Sequence, residues 1–269
     1  MPQTMSIFLL FILSCFSMFS PLHADGTAFS ELDISKENLD LYLLIGQSNM
    51  AGRAPFSEAE AMVIPRCYLL NENNAWEPAQ NPLNRYSTIR KSLGMQKMNP
   101  GYMFATTLLE KNPRRSIGLV VNARGGSSIT EWEKGSAFYN EALSRIKIAL
   151  KRGTLRGILW HQGESDSHDD HYIDKLQSLV THLRNDLSDP TLPFVAGQVF
   201  YHPENKPNTR LINDQIATLP ERLPFTGFVS SEGLTTLDFT HFDTESMKDL
   251  GQRYAEAMWT LINARTPKE

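Results

Sequence analysis

Hydrophobic residues occur in two kinds of segment that alternate along the chain. Short, continuously apolar runs predict buried strands, and they lie at residues 39–46, 116–123, 155–162, 192–200 and 225–231. Between them, apolar residues recur every three or four positions, as in one-sided helices, at residues 101–112, 136–153, 171–187 and 247–264. This alternation predicts an α/β fold in which helices cover both faces of a parallel sheet of about five strands.

Polar, glycine-rich segments follow four of the predicted strands. "GQSNMAGR" follows the first strand, "ARGGSSITEW" the second and "WHQGESDS" the third, and "LDFTHFD" comes shortly after the fifth. In parallel α/β sheets, ligands bind beyond the carboxyl ends of the strands. The sequence therefore predicts that these four segments meet at one edge of the sheet.

A serine nucleophile needs a base, an acid that orients the base, and donors aimed at the oxyanion. Ser48 follows a strand and has glycines nearby for a tight backbone path, but serine also favours helix N-caps, and spacing alone leaves both readings open. His241 is the candidate base, with a buried structural histidine as the alternative. Asp238 precedes it by about one turn and is the candidate acid. Asp243 is a rival acid that could instead cap the last helix.

Three further residues are candidate oxyanion donors: Gly125, Gly126 and Gln162. Adjacent glycines let backbone N–H groups approach a substrate, and an amide side chain could point into the same space. The alternatives are an ordinary turn for the glycines and a surface polar residue for Gln162. Glu164 lies close by in the sequence and could contact the histidine or brace its loop.

The segment from His161 to His171 is rich in histidine and carboxylates, which are the side chains of metal sites. Its spacing matches no zinc pattern such as HExxH, and we predict no metal and no cofactor. The aspartates from 166 to 170 are instead expected to cap and charge the start of the next helix.

Composition narrows the class of protein further. The chain has 269 residues, of which 41% are hydrophobic and 21% charged, as is typical of globular proteins. A net charge of −4 without blocks of charge gives no footprint for nucleic acid. Residues 1–24 hold an apolar run followed by small residues, which predicts a signal peptide, with an uncleaved anchor as the alternative. We expect a secreted or periplasmic protein without a membrane span after cleavage.

The four polar blocks, in this order, resemble those of the SGNH-type carbohydrate acetylesterases. The branch is that of the sialate O-acetylesterases and the carbohydrate esterase family 6 acetylxylan esterases, and the resemblance runs from about Leu39 to Ala264. It implies a three-layer αβα fold of flavodoxin-like type and an esterase domain over residues 39–269, after an N-terminal extension over residues 25–38. It also implies a serine esterase that removes O-acetyl groups from carbohydrates through an acetyl-enzyme, without a metal.

The resemblance also assigns roles to residues. It implies Ser48 as nucleophile, His241 as base and Asp238 as acid. It implies an oxyanion hole made by the Ser48 backbone, Gly126 and Gln162. The supporting residues are Glu164, Gly125 and Asn49. Arg124 departs from the family pattern, which has a small or apolar residue before the glycine pair.

Substrate contacts are expected from a loop over residues 84–99 and from neighbouring polar residues. The candidates are Gln47, Tyr86, Arg90 and Arg124. Trp132 and Trp160 could stack on a sugar or pack in the core. Two other readings stay open on the sequence: a carbohydrate-binding protein without catalysis, and a structural domain with glycine turns.

Overall fold

The fold is built on one mixed sheet of seven strands. A computed structural model describes residues 36–265. The strands are β1 (Leu39–Gly46), β2 (Cys67–Leu70), β3 (Trp76–Pro78), β4 (Ser116–Val121), β5 (Thr154–His161), β6 (Phe194–Gly197) and β7 (Thr226–Val229). Their order in the sheet is β3-β2-β4-β1-β5-β6-β7. All neighbouring strands are parallel except β2 and β3, which are antiparallel. In this order β1 lies at the centre of the sheet, and β3 is an edge strand.

Helices connect the strands. They are α1 (Ser48–Ala51), α2 (Gly101–Lys111), α3 (Ala137–Ala149), α4 (Tyr172–Asp186), α5 (Thr209–Ala217), α6 (Leu219–Arg222) and α7 (Thr244–Arg265). Short 3-10 turns lie at Lys36–Asn38, Leu93–Met95, Ile129–Trp132 and Glu164–Asp166. In the described part of the chain, residues 36–265, no helix is both long and apolar enough to cross a membrane.

The central strand shows why the strands read as continuous apolar runs. Tyr42 and Leu44 of β1 pack into one core with residues of α2 and α7. Leu43 and Ile45 face the opposite way and pack into a second core with residues of α3, α4 and α5. Each face of the sheet is therefore covered by helices, and the predicted three-layer arrangement is confirmed.

The sheet has seven strands, not the five expected from the sequence. The predicted runs correspond to β1, β4, β5, β6 and β7, and the missed strands are β2 and β3. β2 is only four residues long, and β3 is a half-buried edge strand that ends in Pro78. β2 is too short to give the long apolar run that identifies a buried strand, and β3 lacks such a run because edge strands are short and tolerate proline.

The sequence also predicted the long helices and missed short ones. The four predicted helices are present as α2, α3, α4 and α7, although α7 begins at Thr244 and not at Met247. The short helices α5 and α6 were missed. The predicted signal peptide and most of the predicted N-terminal extension lie outside the described residues.

Gly46 ends β1 at a point where only glycine fits. Its φ is +136°, a backbone conformation that side chains disfavour. A Cβ at this position would lie 2.1 Å from the carbonyl oxygen of His161 in β5. The same oxygen accepts a hydrogen bond from the Gln47 backbone N–H at 2.8 Å. This close approach sets the path of the chain into the segment that carries Ser48.

We expect Gly46→Ala to destabilise the fold by at least about 2 kcal/mol, because it adds both backbone strain and a clash with backbone. Urea unfolding of the purified variant measures this. Gly94→Ala is the matched control, since a Cβ there meets nothing within 4 Å. Equal stability of the two variants would contradict this account of the β1 end.

Candidate active site

Ser48 lies at the carboxyl edge of the sheet, directly after β1. It is the first residue of α1, whose N-cap position is taken by Gln47 without a capping hydrogen bond from its side chain. The capping reading of Ser48 is therefore wrong. The Ser48 hydroxyl is 3.0 Å from Nε2 of His241. This contact joins residues 193 positions apart, so the fold brings the two segments together.

His241 is oriented by Asp238. Nδ1 of His241 donates to Oδ2 of Asp238 at 2.7 Å. The other carboxylate oxygen accepts the backbone N–H groups of His241 at 2.8 Å and Thr240 at 3.1 Å. One carboxylate thus fixes both the turn and the imidazole that the turn carries.

The charge state of Asp238 favours this arrangement. Partial burial raises the pKa of its carboxyl, but hydrogen bonds from the His241 backbone and imidazole outweigh burial and hold the pKa below its ordinary value. An ionised carboxylate can only accept, so it keeps the proton of neutral His241 on Nδ1. The lone pair on Nε2 then faces the Ser48 hydroxyl.

Asp243 does not contact His241 in this structure. Its carboxylate accepts from the Thr235 hydroxyl and, at 2.9 Å, from the Ser246 backbone N–H at the start of α7. These are the contacts of a helix cap. The geometry therefore favours capping as the role of Asp243.

Asn49 ties the serine segment to the histidine segment. Its side chain is fully buried. Nδ2 donates to Oε1 of Glu164 at 2.7 Å and to the carbonyl of Thr240 at 3.0 Å. Its Oδ1 accepts from the backbone N–H of Phe242 at 3.1 Å. Asn49 therefore holds the residues on both sides of His241.

Glu164 braces this network and does not contact His241. Its side chain is 8% exposed and lies 3.9 Å from Nε2 of His161. Burial raises the pKa of Glu164 to about 7 and lowers the pKa of His161 to about 3. His161 is therefore neutral at ordinary pH and forms no ion pair with Glu164. Its Nδ1 lies 3.0 Å from the hydroxyl of Tyr254.

The glycine pair lies beside Ser48. A methyl group built on Gly125 would be 3.7 Å from Cβ of Ser48. Gly126 has φ +74°, which favours glycine. Within residues 36–265, the backbone N–H groups of Ser48, Gly125 and Gly126 have no hydrogen-bond acceptor. They are donors left open at the edge of the site.

Gln162 makes its hydrogen bonds to other protein groups. It is fully buried. Its Nε2 lies 3.1 Å from Oε1 of Gln47, 3.0 Å from the carbonyl of Ser127 and close to a carboxylate oxygen of Asp166. With these acceptors, its amide braces the loops after β4 and β5. Its part in an oxyanion hole stays a prediction.

The candidate substrate residues have contacts of their own. Oε1 of Gln47 accepts from Gln162, so this side chain also braces the site. The Tyr86 hydroxyl donates to Glu77 in the edge strand β3. Arg90 and Arg124 donate to the carbonyls of Ser87 and Ile89. Their roles toward substrate stay predictions.

Neither tryptophan is available to stack on a sugar. Trp132 and Trp160 are both fully buried, and their rings pack edge to face at 5.4 Å. The core reading therefore holds for both side chains. The burial of Trp132 could not be predicted from the sequence, because contacts from other segments hold the turn that buries it.

Sequence reasoning missed three residues at this edge. Asp166 was expected only to cap a helix, yet its carboxylate accepts from the Ile129 backbone N–H at 2.9 Å and joins two loops. Phe239 is 49% exposed with φ +59° and lines a 260 Å³ cavity next to the histidine turn. Arg53, the last residue of "GQSNMAGR", lies against Gly125. None has a spacing signal that singles it out.

The histidine- and acid-rich segment after β5 does not gather around a point. Among residues 36–265, no three His, Cys, Asp or Glu side chains are grouped so that they could hold a metal ion. Asp169 instead pairs with Lys175 at 2.6 Å, and His171 lies 3.6 Å from Asp174.

Helices cover both faces of the sheet, and Ser48, His241 and Asp238 lie together at the carboxyl ends of its strands. This is the arrangement that the resemblance to SGNH-type hydrolases implied. The chain belongs to the carbohydrate esterase family described as sialic acid-specific acetylesterase, whose model matches residues 38–260. This membership classes the chain with the carboxylic ester hydrolases of carbohydrates.

Individual relatives agree with the family. A probable carbohydrate esterase of Arabidopsis thaliana is 34% identical over 176 residues, which span 58% of this chain and 66% of that relative. The crystal structure of an Arabidopsis thaliana protein has a TM-score of 0.75 at 27% identity and covers 83% of this chain and 98% of its own.

Two further solved structures share the fold. NanS has a TM-score of 0.69 at 18% identity and covers 86% of this chain and 100% of its own. XAC1771, described as a carbohydrate acetylesterase from Xanthomonas citri, has a TM-score of 0.63 at 22% identity and covers 84% of this chain and 57% of its own.

The buried carboxyl of Glu164 predicts a pH-dependent stability. The folded-state pKa lies at about 7, above the ordinary 4.5, so the folded protein binds this proton more tightly than the unfolded chain. Stability is therefore lost as pH rises from about 4.5 to about 7. Glu164→Gln removes the loss and should stabilise the protein at pH 8 by about 3 kcal/mol, at about 1.4 kcal/mol per pKa unit.

Urea unfolding at pH 4.5 and pH 8 checks this. Glu110→Gln, on the exposed side of α2, is the control and should change neither value. A Glu164→Gln effect of equal size at both pH values would show that burial of the charge is not its cause.

Proposed function

We propose that the protein is a serine esterase that removes O-acetyl groups from carbohydrates through an acetyl-enzyme. The observation that carries the proposal is the continuous hydrogen-bonded chain from the Ser48 hydroxyl through His241 to Asp238, with distances of 3.0 Å and 2.7 Å. Nucleophile, base and orienting acid are the three groups that such chemistry needs. Membership in a carbohydrate esterase family supports the reaction class.

In the first half of the reaction, Oγ of Ser48 attacks the acetyl carbonyl carbon while Nε2 of His241 takes the hydroxyl proton. The tetrahedral intermediate collapses, the bond to the sugar oxygen breaks, and His241 gives its proton to that oxygen. In the second half, water attacks the acetyl group, His241 accepts its proton and returns it to Ser48, and acetate leaves. Asp238 stabilises the imidazolium in both halves.

Open backbone donors supply the oxyanion hole in this proposal. The N–H groups of Ser48 and Gly126 are unpaired within the described chain and sit at the serine edge of the site, with Gly125 keeping side chains out of the way. Donors that are held in place before the reaction stabilise developing charge without reorganisation. The hydrogen bonds of Gln162 favour support of the loops over direct donation.

We propose a single catalytic domain over residues 39–269, in line with the family match over residues 38–260. Export by the N-terminal segment belongs to the same proposal.

Acetylated sialic acid and acetylated xylan are the substrates to compare, in a panel with acetylated monosaccharides. Arg90 and Arg124 form no ion pair within the described residues, which favours an acidic sugar.

Asp238 and Asp243 stand on either side of His241 in the sequence, and their different contacts allow a matched test of the role of Asp238. Asp238→Asn should lower kcat by roughly 100- to 10,000-fold, because it removes the acceptor that orients and stabilises the imidazole. Asp243→Asn should keep kcat near the wild-type value, because asparagine still caps α7. Hydrolysis of p-nitrophenyl acetate by both variants, with melting temperatures as a folding check, measures the difference. Equal losses would contradict the assignment of Asp238.

The alternative is a carbohydrate-binding protein that keeps the pocket without catalysis. The contacts of Ser48 with His241, and of His241 with Asp238, favour the enzyme. An activated serine reacts with a fluorophosphonate, so such a probe distinguishes the two functions. We expect wild-type protein to be labelled at Ser48, and Ser48→Ala to be neither labelled nor active. An unlabelled wild-type protein that binds acetylated sugars would favour the alternative.

A further inference from the structure

Arg53 is held at the site but has no part in the reaction described above. Its Nη1 donates to the carbonyl of Gly52 at 2.6 Å and to that of Met95 at 3.1 Å. A guanidinium has five N–H donors. Within residues 36–265, the N–H groups on Nη2 and Nε have no acceptor. The group is thus fixed by one nitrogen and leaves the other two open.

The open side of Arg53 lies next to Ser48. A methyl group built on Gly125 would be 2.5 Å from Nη2 of Arg53 and 3.7 Å from Cβ of Ser48. Measured from that common point, the guanidinium and the serine are at most about 6 Å apart. The bare face of Gly125 is therefore filled by Arg53, which gives this position a reason to be glycine.

The positive charge here is not neutralised by the protein. No carboxylate among the described residues pairs with Arg53. Lys91 stands on the other side of the turn, with Nζ 3.2 Å from a methyl group built on Gly126, and it also has no ion pair in the described chain. Partial burial lowers the pKa of Arg53 from its ordinary value, but arginine stays charged in proteins.

We propose that Arg53 is a further catalytic residue, whose Nη2 donates to the acetyl carbonyl oxygen as that oxygen becomes the oxyanion of the tetrahedral intermediate. The proposal rests on the function proposed above. The neutral carbonyl of the bound ester gains a negative charge only during the reaction, so a fixed cation beside it stabilises the transition state more than the substrate. Partial burial strengthens this interaction compared with water.

Two other roles make different kinetic predictions. If Arg53 only braces Gly52 and Met95, its loss lowers stability and leaves the kinetics of the folded protein intact. If it binds a carboxylate on an acidic sugar, its loss raises KM for that sugar and spares neutral esters. A role in the oxyanion hole instead lowers kcat for every acetyl ester, with KM little changed.

The test uses the full chain and p-nitrophenyl acetate, a neutral ester without a sugar. Arg53→Gln is expected to lower kcat by about 100-fold and to change KM by no more than about twofold. Arg53→Lys should lie between Arg53→Gln and wild type, because it keeps the charge but not the fork of donors. Arg114→Gln removes the same charge just before β4, at the amino ends of the strands and away from Ser48. This variant should behave as wild type.

Two further measurements guard against a variant that folds poorly. Gly125→Ala keeps Arg53 but places a methyl group 2.5 Å from its Nη2, so it should also lower kcat. Methylguanidinium added to Arg53→Ala should restore part of kcat, which a purely structural loss would not allow.

The proposal is overturned if Arg53→Gln has the kcat of Arg114→Gln, or if its loss is confined to KM for acidic sugars. Ser48→Ala, measured in the same assay, separates a failure of the proposed esterase function from a failure of the role proposed for Arg53. If Ser48→Ala keeps its activity, the proposed function fails. If Ser48→Ala is inactive and Arg53→Gln is not impaired, only the role of Arg53 fails.

Discussion

One buried amide holds the site together. The side chain of Asn49 donates to Glu164 and to the carbonyl of Thr240, and accepts from the backbone N–H of Phe242. Thr240 and Phe242 flank His241, so a residue next to the serine fixes the turn that carries the histidine. A buried polar group left without its partner costs about 1–3 kcal/mol. The fully buried amide therefore strongly favours the one arrangement in which serine and histidine meet.

The sheet supplies the precision that the loops lack. β1 and β5 approach so closely at Gly46 and His161 that no Cβ fits between them, and this contact fixes where the segment of Ser48 begins. The loops after β4 and β5 are joined in turn by Asp166, which accepts from Ile129. Loops that are tied to the strand ends and to one another hold Ser48 and the open backbone N–H groups in place. The proposed mechanism requires this of its nucleophile and oxyanion donors.

Much of this organisation could be predicted from the sequence, for identifiable reasons. Strands buried on both faces leave long apolar runs, so β1, β4 and β5 were found and the four polar segments were mapped to one edge. β3 has no such run because it is an edge strand. The buried amide of Asn49 bonds only to groups more than a hundred positions away, and Gln162 bonds to Gln47 at a similar separation. No local pattern encodes such contacts. Composition and spacing identify candidates, whereas partners depend on the tertiary fold.

In the proposed mechanism, Ser48 carries the acetyl group during turnover. Mass spectrometry of peptides from wild-type protein, acid-quenched during hydrolysis of an acetyl ester, tests it directly. We expect one acetyl group on the peptide that contains Ser48, and none on that peptide in Ser48→Ala. An acetyl group on a different residue in wild-type protein, or undiminished turnover by Ser48→Ala, would contradict it.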